Sequence, residues 1–72
     1  VKEQLERMMN EFNQKSDELQ KMAEKSVNGA MERYTLAQAD TAAAKLLALK
    51  EVALRLGFAV VYDAIQNKWT LT

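Results

Sequence analysis

The stretch KSVNGAMERYTLAQAD, residues 25–40, decides how this chain folds, because it holds the signals that could end one helix and begin another. Asn28-Gly29 is the first breaker, and a glycine after a helical run often caps a helix C-terminus in the left-handed conformation. Against a stop there, Ala30, Met31 and Tyr34 continue the apolar pattern in phase with the residues before them. One glycine inside a helix costs only ~1 kcal/mol. The expectation is therefore a first helix over about residues 3–34. A second helix then starts at Thr35, with Gln38 three residues on as a capping box, or at Asp40 as a simple cap. A short connection near 35–40 makes the two helices antiparallel neighbours.

Upstream, Glu3 with Arg7, Glu11 with Lys15 and Asp17 with Lys21 stand four apart with the acid first. Such pairs support a helix by ~0.2–0.5 kcal/mol each and mark a solvated face. Met8, Leu19 and Ala30 recur every eleven residues, as do Phe12, Ala23 and Tyr34, and Leu5, Ser16 and Val27. A heptad through Leu5, Met8, Phe12, Leu19 and Met22 would put Lys15 and Ser26 in the seam. An eleven-residue period fits better and implies a nearly straight or slightly right-handed face, not a sustained left-handed coiled coil.

Downstream, Ala42, Ala43, Leu46, Leu47, Leu49, Val52, Ala53, Leu54 and Leu56 cover most of the second helix, predicted over about 36–56. A helix this apolar must be covered on more than one side. Gly57 directly after Arg55-Leu56 reads as its stop, with Phe58 placed to fold back on it. Phe58 to Tyr62 is β-branched and aromatic, and Lys68 to Thr72 alternates polar and apolar, so residues 58–72 read as a β-hairpin with Asp63 and Asn67 in the turn. The alternative is a third helix, because Phe58, Val61, Tyr62, Ile65 and Trp69 also fall at helical spacing. The fold class expected is mainly α with a small β element: one domain, 1–72, of a long antiparallel helix pair followed by a hairpin. An all-α three-helix bundle is the alternative.

Composition narrows the functions. The chain has ten basic and ten acidic side chains and neither histidine nor cysteine. Disulfides and thiolate or imidazole metal sites are excluded. Asp17 and Glu18 are adjacent and diverge on a helix, and Glu24, Glu32, Asp40, Glu51 and Asp63 show no spacing that pairs two carboxylates. Met8, Met9, Met22 and Met31 at helical spacing read as packing residues, not soft-metal ligands. No catalytic residue, cofactor or metal site is expected, and the chain is expected not to be an enzyme. No apolar run reaches the ~18 residues of a membrane span and the N-terminus is not signal-like, so the expected setting is cytoplasmic, away from membranes. A start at Val1 reads as a trimmed or excised segment.

A continuous helix over 3–34 would be about 48 Å long, whereas a compact chain of this length has a diameter near ~29 Å. Leu5, Met8, Met9 and Phe12 would project beyond the core and need cover. A lone two-stranded hairpin is marginal, and an uncharged edge strand pairs readily with another. Both features predict association, with a second copy (homodimer or higher) or another protein, through Leu5, Met8, Phe12, Leu19, Phe58, Val60, Tyr62 and Trp69. The function expected is a protein–protein interaction module of adaptor, chaperone-like or inhibitor type. The runner-up is a small DNA- or RNA-binding regulator using Lys45, Lys50, Arg55 and Lys68 as a basic patch doubled in a dimer.

Overall fold

Asn28 stands at the start of a helix, not in the middle of one. In the computed structural model, which describes residues 1–72, the chain forms α1 (Lys2–Glu24), α2 (Gly29–Arg55), β1 (Val60–Asp63) and β2 (Lys68–Leu71). The Asn28 backbone is extended, and its side-chain oxygen accepts from Ala30 N at 2.9 Å and Met31 N at 3.4 Å. Ser26 braces the turn, its hydroxyl donating to Asn28 O at 3.1 Å. Asparagine satisfies two otherwise unpartnered helical N–H groups here.

The expected first helix to residue 34 is thus corrected to one ending at Glu24, and the second helix begins at Gly29, not near 36. Asn28-Gly29, expected to be tolerated inside a continuous helix, is the N-terminal signal of the second one. Thr35 and Asp40, the two candidate caps, both lie inside α2, Thr35 buried and Asp40 exposed. Folding back at 25–28 gives two helices of similar length, 23 and 27 residues, side by side.

The period that holds them is a heptad. On α1 the covered positions are Leu5, Met9, Phe12, Ser16, Leu19 and Ala23, and on α2 they are Thr35, Ala39, Ala42, Leu46, Leu49 and Ala53. Steps of four and three alternate along both rows, as in a left-handed antiparallel coiled coil. Of the eleven-residue sets, Leu5 with Ser16 and Phe12 with Ala23 do face α2, whereas Met8, Val27, Ala30 and Tyr34 are exposed. Met8 and Met22, the methionines of the heptad first weighed, face solvent, while Met9, Ser16 and Ala23 are buried.

Small side chains let the helices approach closely near the turn, where the buried Ser16 hydroxyl donates to Ala39 O on the other helix at 3.2 Å. Toward the far end the seam widens to Leu5, Met9 and Leu46, and the hairpin fills the space with Leu71, backed by Phe58, Val60 and Trp69. Leu5, Met9 and Phe12, expected to project, are core residues. Even so the molecule measures 44 × 23 × 15 Å with a radius of gyration of 13.7 Å, against ~11 Å for a compact chain of this length. No helix is long and apolar enough to cross a membrane.

The C-terminal end of α2 closes as the sequence suggests. Gly57 has φ +93°, and the N–H groups of Gly57 and Phe58 donate to Leu54 O at 3.1 Å and Ala53 O at 3.0 Å. This is a Schellman cap. The chain then enters an antiparallel hairpin with Val60 opposite Leu71 and Tyr62 opposite Trp69. Asp63 Oδ1 accepts from Ile65 N at 2.9 Å and Gln66 N at 3.3 Å, and Asn67 takes φ 51°. A third helix is not formed.

Two changes probe these features. Ala39→Leu should destabilise by about 1–3 kcal/mol in urea unfolding, because the close seam has no room for three added carbons. Gly57→Ala should cost about 1 kcal/mol or more at its positive φ, whereas Gly29→Ala, with open space around the new Cβ, should stabilise by about 0.4–1 kcal/mol.

Candidate interaction surface

The hairpin is held by a polar row on α1. Asn10 makes a pair of bonds with the Trp69 backbone, donating from Nδ2 to O at 3.0 Å and accepting from N at 2.7 Å. Glu6 accepts from Leu71 N at 3.1 Å, and Asn13 donates to Asn67 O at 3.2 Å. Asp17 and the Tyr62 hydroxyl both bond the Asn67 side chain. Glu6, Asn10, Asn13 and Asp17 follow the same four–three–four spacing one row beside the seam, so α1 acts toward β2 as a neighbouring strand would. Sequence reasoning missed this row. Its only signal was two asparagines inside a helix, where their propensity is poor.

The other edge of the hairpin is open. Ala59 and Thr72 exchange both backbone bonds at 2.9 Å, so alternation down the register turns the N–H and C=O groups of Val60 and Tyr62 away from β2. Two residues of free edge are a short template.

The eight residues expected at an interface divide unequally. Leu5 is buried within the chain, and Phe12, Leu19, Phe58, Val60 and Trp69 are half-buried, most of them against the core. Met8 and Tyr62 are exposed. The Trp69 ring lies 4.9 Å from that of Tyr62 and 5.6 Å under the Lys50 ammonium. Its Nε1 is the one buried side-chain polar atom without a hydrogen-bond partner.

The four basic residues are not brought together. Lys45, Lys50 and Arg55 follow at five-residue steps, and each step rotates about 140° net around a helix. Lys45 stands 5.6 Å over the Phe12 ring, Lys50 reaches the hairpin, and Arg55 bonds Glu51 at 2.9 Å. Lys68 shares a shallow groove with Glu3, Glu6 and Glu11. Acidic side chains are equally dispersed, with no group of three placed to hold a metal ion. A groove of about 200 Å³ between the helices is lined by Phe12, Lys15, Gln38, Thr41, Ala42 and Lys45. The larger groove beside Lys68, about 340 Å³, has no apolar residue in its lining, whereas small-molecule sites are mostly apolar.

What remains is α2 itself. Leu36, Leu47 and Leu54 are exposed on one flank of its seam, and Tyr34, Val52 and Leu56 on the other. The ridge between them carries Ala30, Ala37, Ala44 and Ala48 together with Arg33, Glu51 and Arg55. Large apolar side chains therefore point outward from a helix whose inward row is half alanine. No family model matches the chain, and no curated protein or solved structure matches it either.

Asn10→Ala should leave two backbone groups of Trp69 without partners and cost about 1–3 kcal/mol. Amide exchange should show it as faster exchange at Trp69 and Leu71 than along α2.

Proposed function

We propose that this chain is a non-enzymatic protein–protein interaction module that works by offering the uncovered flanks of α2 to another polypeptide. The observation that carries the reading is the inversion on α2, with Ala39, Ala42 and Ala53 inside and Leu36, Leu47 and Leu54 outside. A monomer under no other demand places its leucines inward, since full burial of one is worth about 1.5–3 kcal/mol. Exposed apolar surface of this extent on a small chain is characteristic of an interaction site.

Adaptor, chaperone-like and inhibitor roles all use such a surface. The free backbone of Val60 and Tyr62 on β1 is a lesser site, too short to give much affinity by itself. A nucleic-acid role receives no comparable support, because Lys45, Lys50, Arg55 and Lys68 point in different directions and the net charge is zero. A cysteine-free chain needs no oxidising compartment, and a cytoplasmic setting belongs to the proposal.

Sedimentation at micromolar concentration, paired with affinity capture from cell extract at low and high salt, tests the reading. Self-association or a retained protein that persists at high salt is expected. A monomer that retains no protein, or retains only nucleic acid released by salt, would overturn it.

A further inference from the structure

One flank of α2 reads the same in both directions. Leu36, Asp40, Ala43, Leu47, Lys50 and Leu54 follow one another at steps of four, three, four, three and four, so they form a second heptad row beside the one that faces α1. Residue numbers taken symmetrically about 45 pair Leu36 with Leu54, Asp40 with Lys50 and Ala43 with Leu47. Each pair is complementary: apolar with apolar, acid with base, small with large.

We propose that this row is the contact between two copies of the chain, with the α2 helices antiparallel about a two-fold axis at the level of residue 45. An isologous interface must be self-complementary, residue i meeting j while j meets i. The row satisfies that requirement at all six positions. Leu36 of each copy covers Leu54 of the other at the ends, the Ala43 positions receive the Leu47 side chains at the centre, and two Asp40–Lys50 pairs lie between them. Register is fixed by the charges, because a shift of one heptad would oppose apolar and charged residues.

Four of the six row positions, Leu36, Asp40, Leu47 and Leu54, are exposed, while Ala43 and Lys50 are half-buried. Leu47 and Leu54 flank Lys50, three before and four after it, yet they are 60% and 52% exposed although Lys50 reaches the Trp69 ring. The hairpin therefore stops short of them. Asp40 is exposed and makes no ion pair within the chain, whose single salt bridge joins Arg55 to Glu51. The long Lys50 side chain lies on the correct side of α2 to meet a carboxylate arriving there.

This inference rests on the interaction reading and names its partner as a second copy. Sedimentation equilibrium tests it. The intact chain should show twice its 8.2 kDa mass at micromolar concentration. Leu47→Lys should abolish association, with far-UV circular dichroism unchanged because the side chain is exposed in the single chain. Asp40→Lys should weaken association about tenfold or more by opposing like charges at both 40/50 contacts. Adding Lys50→Asp to it should restore the affinity, as a reversed pair would.

An associating chain that is indifferent to Leu47→Lys, or a double variant that stays as weak as the single one, would overturn the α2 geometry while leaving an interaction module in place. A monomeric chain that nonetheless retains a protein from extract would overturn the second copy alone. A monomer that retains none would overturn both.

Discussion

Everything in this fold depends on how closely α1 and α2 approach along a seam of small residues. Ser16 and Ala23 on one helix and Thr35, Ala39 and Ala42 on the other leave so little side chain between the axes that a serine hydroxyl bonds a carbonyl across the gap. Close approach fixes the register of the pair but buries little apolar area, because alanine has little to bury. Met9 and Leu71 are the only large side chains wholly removed from solvent. The helix pair is well specified and poorly insulated.

The hairpin answers part of that deficit. It enters through the Gly57 cap, places Leu71 at the wide end of the seam, and is tied to α1 by side-chain bonds to its backbone from Glu6, Asn10 and Asn13. A two-stranded sheet has too little of its own to be stable, so this polar row supplies what a third strand would. One strand edge is thereby occupied and the other left open. The hairpin covers one end of one side of a 44 Å molecule. Lys50 stands over Trp69, but the large apolar residues on the flanks of α2 stay exposed.

The sequence made the C-terminal half more legible than the N-terminal half, for a physical reason. Gly57, Phe58, Asp63 and Asn67 act through local backbone demands that few residues satisfy, so their identities carry their roles. Asn28-Gly29 carries two roles, since asparagine followed by glycine suits both a helix end and a helix start. Only the tertiary benefit of folding two matched helices together decides between them. The heptad was hidden because its inward positions are filled by alanine, serine and threonine, which weigh little in an apolar count, while Met8, Met22, Leu47 and Leu54 draw the eye to the outside. The polar row on α1 was illegible for a related reason: nothing in Glu6 or Asn13 tells a reader that a strand lies against it. Of the residues read as interface anchors, Met8 and Tyr62 remain on the surface, and Leu5 and Trp69 serve the chain's own core.

The central claim is that this chain is completed by something that covers α2, and that a second copy does so. The most direct measurement is urea unfolding of the intact chain across a hundredfold range of protein concentration. Association that involves only the folded state stabilises it by mass action, so the unfolding midpoint should rise steadily with chain concentration. A midpoint independent of concentration would show that each chain folds to its full stability alone, and would contradict the claim.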